Sequence, residues 1–335
     1  MTALTAYRQG ARRVGRAPAI LLGLLFVTWL FGVPSALVVR GMVAAHLGQS
    51  LDAERVAQRF DLDWWEEFSS QAAGLGQTFT PSIIGFAAVL RNLSDLIDGG
   101  PSSTVIGGMI GAWVVLWSFL AGGILDRYAR DRAIGLRGFF SAAGANVGRL
   151  IRLGLVTLVA YGALFAYVRG WLLDDLYGWL TRDVSVERTA LAVWLVLSLV
   201  FVLLLLIINV IVDYARIRLV VEDRHSAIAA LPASIRFVRR HATRVSVLYA
   251  LNAAGFVVLL SLYWLLAPGA DASSPGIWVG LAVGQLYLLG RLWVKLQFYA
   301  SQTALFQAEL AHAGYVAAPL PPRAMSPAEE AIRTT

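Results

Sequence analysis

The chain has 335 residues, 58% of them hydrophobic and 15% charged, with a formal net charge of +7. Soluble domains carry about 25% charged and 45–50% apolar residues, and here the apolar excess falls in blocks of roughly twenty, the length that crosses a bilayer. No cysteine is present, which excludes disulfide frameworks, thiolate metal sites and cysteine nucleophiles.

In chain order, Arg8, Arg12, Arg13 and Arg16 lead into a first apolar block, 17–39, whose 23 residues carry no charge. A secretory signal has an apolar region of only about 7–15 residues, so this block reads as a retained span. Residues 41–103 follow as the longest connection, with room for a folded element outside the bilayer. Asp61, Asp63, Trp64, Trp65, Glu66, Glu67 and Phe68 gather acids and aromatics there. Trp64 and Trp65 are candidates for outer docking of a partner, and equally for an interfacial aromatic belt. The carboxylates lack the alternating ligands and central glycine of a calcium loop, so no metal site is expected. From Pro81, residues Ile83, Phe86, Ala87, Leu90, Leu93 and Ile97 keep helical spacing up to Gly99–Gly100–Pro101, which predicts a short helix against the outer leaflet or across the spans.

Five more apolar blocks, at about 104–125, 153–173, 189–212, 245–267 and 277–299, complete a predicted all-α, six-span polytopic bundle. The proline-rich segment 317–335 is predicted to be a disordered cytoplasmic tail. Of the 28 cationic residues, 21 precede span 1, lie between spans 2 and 3 or 4 and 5, or fall from the end of span 6 onward. Cations are held on the cytoplasmic side, so both termini are predicted cytoplasmic, in a bacterial inner membrane. The basic pI of about 10.0 is then a topology signal, and no basic soluble module for nucleic acid is present.

Three stretches ahead of odd-numbered spans share one spacing. They are Leu4, Tyr7, Ala11, Val14 and Arg16; Phe140, Ala143, Val147, Leu150 and Arg152; and Ile228, Leu231, Ile235, Val238 and Arg240. This describes an interfacial ramp with an apolar stripe on the inner leaflet and Arg16, Arg152 and Arg240 at anionic phospholipid phosphates. The outgoing spans also match at Tyr128–Ala129, Tyr214–Ala215 and Tyr299–Ala300. One reading is three pseudo-repeats of ramp plus hairpin; the other is generic amphipathic spacing, with Tyr249–Ala250 out of register.

Ionisable groups inside a bilayer mark function, because each costs roughly 2.5–3.5 kcal/mol at the centre on insertion scales. The central turns of all six predicted spans lack Asp, Glu, His and Arg. The candidate polar path is Asn209, Asn252, Gln285, Arg291 and Lys295, with Asp126 and Asp213 as charge partners for Arg291 or Lys295 at an inner mouth. Independent snorkelling and interhelical hydrogen bonding are the alternatives. No His falls in a span, and no HExxH, GxSxG or P-loop pattern occurs, so neither catalytic residues nor a cofactor are expected.

The amphipathic elbows, short hairpins and Asp213–Tyr214–Ala215–Arg216 exit resemble bacterial multispan inner-membrane proteins of uncharacterised role, related to the membrane domain found beside glycerophosphodiester phosphodiesterases. The phosphodiesterase's His and Glu metal ligands are missing here, and the long outer segment departs from that pattern. The resemblance implies a protein concerned with lipids or envelope upkeep, without its own hydrolysis. The expectation is a non-enzymatic transport-like or lipid-handling module that meets the lipid bilayer and anionic headgroups. The competing class is a membrane interaction scaffold using the outer segment or the tail.

Overall fold

The computed structural model describes residues 1–48, 53–58, 61–80, 84–98, 104–224, 226–268 and 274–312. Pro81, Ile83, the Gly99–Gly100–Pro101 turn and the tail expected from Ala317 lie outside the described residues. The helices are α1 Ala3–Gly15, α2 Pro18–Leu47, α3 Ala53–Gln58, α4 Leu62–Gln71, α5 Gly85–Asp98, α6 Thr104–Arg130, α7 Leu136–Ala163, α8 Tyr177–Thr181, α9 Glu187–Val221, α10 Ala227–Arg240, α11 Ala242–Leu266 and α12 Ser274–His312. Wider π-turns over Leu164–Arg169 and Trp171–Leu176 carry α7 on into α8.

Among the described residues, six stretches are long and apolar enough to cross a membrane: Pro18–Leu47, Gly107–Arg130, Leu136–Thr181, Glu187–Val221, Ala242–Leu266 and Pro275–Leu310. They overlay the six predicted spans, so the chain is an all-α polytopic bundle. Local chemistry sets several starts. The Thr2 hydroxyl accepts from the Thr5 N–H at 3.2 Å and opens α1; Asp61 caps α4 through the Trp64 N–H at 3.1 Å; Ser226 caps α10 through the Ala229 N–H at 3.3 Å. Pro18 stands at the first position of α2, where its missing N–H has no partner to lose.

The expected ramps differ in form. α1 and α10 are separate helices that end just before spans 1 and 5. The second ramp is not separate: α7 runs unbroken from Leu136 through its span. Each nonetheless lies on an even-numbered span, α1 on α12, the start of α7 on α6 and α10 on α9. The first positions of the three stripes, Leu4, Phe140 and Ile228, stay exposed, but Val14, Ala143 and Leu150 further along them are buried against neighbouring helices, so the stripes face outward only in part. Ala3, Ala6 and Gly10 are buried on α1, Ala227, Ala230 and Ser234 on α10, and Ala143 and Asn146 on α7.

Small residues let backbones approach closely. A Cβ on Gly10 would sit 2.8 Å from both Cβ and N of Ser301, and one on Gly122 of α6 would sit 3.0 Å from Cβ of Asn146. The Gln297 side-chain amide donates to the Tyr7 carbonyl at 2.8 Å across 290 residues of sequence. Tyr128, Tyr214 and Tyr299 are all buried in the core at this ramp end of the bundle.

At the opposite end, α4 and the residues around it form a small aromatic unit. Trp64 stacks on Phe68 with ring centres 5.5 Å apart, and its indole donates to Nδ1 of His46 at 3.1 Å. Gly85 opens α5 with φ +83 beside the ring of Tyr263, a left-handed conformation that side chains rarely adopt. α5 then lies along α11, and its Ile97 packs among Leu164, Leu172 and Phe201, where the Ile97 carbonyl accepts from Arg169.

Candidate functional site

A cavity of about 850 Å³ opens inside the ramp half of the bundle. It is lined from α6 (Trp117), α7 (Leu158, Tyr161), α9 (Asn209, Asp213, Arg216), α11 (Phe256) and α12 (Arg291, Lys295, Tyr299). Asn209, Asp213 and Arg216 lie around the end of the predicted apolar block of span 4 at 212, and Arg291 and Lys295 lie within the last turns of that of span 6, which ends at 299. α7 packs on α6 and α9, whereas α11 packs on α12 and α1, which leaves the flank between α7 and α11 unpacked. Leu155 and Leu158 at that flank are 59% and 67% exposed, so the cavity has an oily side entrance and a charged interior.

Asp213 organises the interior. It is buried, and its Oδ2 accepts from the Tyr249 hydroxyl at 2.5 Å, from Gln302 Nε2 at 3.4 Å and from Asn209 Nδ2 at 3.4 Å. Its Oδ1 accepts from Arg216 at 3.2 Å. A buried carboxylate needs such pairing to stay charged, and these donors come from α9, α11 and α12 together. Arg291 and Lys295 differ from Arg216. Neither has a carboxylate within ion-pair distance among the described residues. The Lys295 ammonium instead lies 3.3 Å from the centre of the Trp117 ring, a cation–π seat, and the Trp117 indole N–H donates to the Tyr299 hydroxyl at 2.9 Å.

Three of the five candidate path residues, Asn209, Arg291 and Lys295, therefore meet in the cavity with Asp213. The other two do not. Asn252 faces α12, donating to the Ser301 hydroxyl at 3.2 Å and to the Leu248 carbonyl; Gln285 accepts from the Trp29 indole at 2.7 Å and ties span 6 to span 1. Asp126 is turned to its own helix neighbour Arg130 at 2.8 Å, so the expected pairing of Asp126 with Arg291 or Lys295 is not formed. Asp213 is the carboxylate that shares their cavity, although its ion pair goes to Arg216.

The arginines expected at lipid phosphates, Arg16, Arg152 and Arg240, are all exposed, and Arg16 also pairs with Asp131 at 3.7 Å. Arg13 and Arg127 behind it were not singled out from sequence, and both are drawn into the protein. Burial lowers the Arg13 pKa; Asp131 opposes this and Arg127 adds to it. Trp64 is 4% exposed and Trp65 donates its indole N–H to the Phe79 carbonyl at 3.0 Å. Trp64 is thus the centre of the aromatic unit's core and presents no face for docking.

Tyr249 and Gln302 were missed. Tyr249 carried only a Tyr–Ala signal out of register with the repeats, and Gln302 lies in the run Ser301–Gln302–Thr303, buried despite its polarity. No family model, curated protein or solved structure matches the chain.

Proposed function

We propose that the protein is a multi-pass module of a bacterial inner membrane, with both termini cytoplasmic, that takes an amphiphile from the leaflet into this cavity without chemically altering it. The observation that carries the reading is the cavity's two-part surface: exposed leucines at an unpacked flank between spans, and Asp213, Arg216, Arg291 and Lys295 within. Apolar walls with a few placed polar groups are the ordinary form of a small-molecule site, and ionisable side chains inside a membrane face such cavities. The bias of arginines toward the ramp end supports the orientation. The two histidines with described side-chain partners support a non-catalytic role, since His46 is bonded to Trp64 and His241 is paired with Glu309 at 3.2 Å, both outside the cavity lining.

The test places a photoreactive amino acid at Ala121, which lines the cavity yet is 2% exposed, and compares it with Leu248, fully buried and away from the lining. Covalent capture of membrane lipid at 121 and none at 248 is the expected result. No lipid at 121 in a folded protein overturns the reading.

A further inference from the structure

Arg291 and Lys295 stand one helical turn apart on the same face of α12, about 6 Å along the axis at 1.5 Å per residue, and both line the cavity. Arg216, the third cation of the lining, is already matched by Asp213. The lining therefore holds two positive charges in excess of its own carboxylate, at a separation that one tetrahedral anion spans. Both side chains are exposed to the cavity space and so open to a ligand, and Lys295 is held over an aromatic face, which accepts none of its hydrogen bonds in the strong, charge-assisted sense.

Resting on the amphiphile reading above, we infer that the group bound between Arg291 and Lys295 is a phosphate monoester at the end of an apolar chain. A phosphate monoester carries a charge of about −1.5 to −2 at pH 7 and matches the excess. A phosphodiester with an uncharged headgroup carries a single negative charge and leaves one cation short, and a zwitterionic headgroup leaves both. The guanidinium of Arg291 offers a planar fork to two phosphate oxygens, and the compact ammonium of Lys295 meets a third. The leucines at the flank take the chain. Free phosphate has the same chemistry at these two residues, and the experiment separates the two sources.

Binding is measured on the intact protein in detergent by native mass spectrometry, with phosphatidic acid, phosphatidylglycerol and inorganic phosphate as probes. Protection of Lys295 from an amine reagent is read alongside; it is the only lysine of the chain, so its peptide is unambiguous. Phosphatidic acid is expected to bind at least about tenfold tighter than phosphatidylglycerol, the scale of one charge-assisted hydrogen bond, and to protect Lys295. R291Q and K295Q are expected each to abolish that preference, while R152Q at an exposed position preserves it.

Equal binding of the two lipids, or a preference unchanged in R291Q and K295Q, overturns the inference. Protection of Lys295 in the unaltered protein decides the matter even if a variant fails to fold. Protection by inorganic phosphate with none by phosphatidic acid keeps the phosphate site and overturns its lipid source, and with it the preceding reading. Lipid capture at Ala121 without a monoester preference does the reverse.

Discussion

The hydroxyl of Tyr249 on α11 lies 2.5 Å from Oδ2 of Asp213 on α9, and this bond joins spans 5 and 4 at the floor of the cavity, below the flank where spans 3 and 5 part. The same carboxylate neutralises Arg216, so one side chain both closes the floor and settles which cations remain free. Asp213→Asn keeps the shape and discards the charge. It is expected to destabilise the folded bundle by about 3–5 kcal/mol, because it leaves Arg216 unmatched in the interior. Adding Arg216→Gln should recover part of the loss, measured as a double-mutant cycle of thermal unfolding in detergent. Additive losses would show that the two residues act separately.

Tyr249→Phe removes the donor and leaves the ring. Hydrogen bonds to charged groups are worth about 1.5–3 kcal/mol, so a loss of that size is expected, with α11 loosened from α9 while its contacts with α12 persist. Hydrogen exchange of the 242–255 backbone reads this directly. Unchanged protection there would show that the bond does not hold the floor.

Gly10→Leu is expected to cost about 1–3 kcal/mol by overpacking, since even a Cβ would meet the backbone of Ser301 at 2.8 Å. Gly15→Ala on the same helix meets nothing within 4 Å and should leave the melting temperature unchanged or slightly raised. Equal behaviour of the two variants would mean that the close crossing of α1 and α12 does not contribute to stability.

These cases show which features could be read in advance. The six spans were legible because a run of twenty apolar side chains has few uses outside a bilayer. Their ramp-end boundaries were not, because Asp213 to Val221 and Ser301 to Leu310 continue as helix through residues that hydropathy scores as polar or mixed, and these extensions pack on one another. The ramp stripes were legible as amphipathic spacing, but which of their residues face outward, Leu4, Phe140 and Ile228, and which turn inward, Val14, Ala143 and Leu150, was not, because much of the buried face is Ala, Gly and Ser, whose closeness of packing has no hydropathy signal. Asn209, Arg291, Lys295 and Asp213 were legible as polar groups near the ends of apolar blocks. That Asn252 and Gln285 stitch helices while the other polar groups share a cavity depends on helix rotation, which sequence spacing alone leaves open.

Trp64→Ala should unpack the aromatic unit formed with His46, Phe68 and Phe79, at a cost of about 3–5 kcal/mol confined to that unit. Trypsin is expected to cut faster after the half-exposed Arg55, with thermal unfolding of the spans unaltered. Loss of the whole bundle would instead make the unit part of one cooperative core.

The chain contains no cysteine, so single cysteines report topology without background. Arg239→Cys on α10 and Glu67→Cys on α4, both at exposed positions, should differ with an impermeant thiol reagent on whole cells. Glu67→Cys is expected to react at once and Arg239→Cys only after the membrane is opened. The opposite pattern would invert the proposed orientation.

The hydrogen bond from Gln297 to Tyr7 has a consequence for biosynthesis. α1 is made well before the helix it docks on, and at about 5–20 residues per second the 290 intervening residues take roughly 15 to 60 s to appear. Throughout that delay the alanine and glycine face of α1 has no α12 to close on. Docking of α1 therefore follows the making of α12 and is completed only in chains that have placed α12 alongside it.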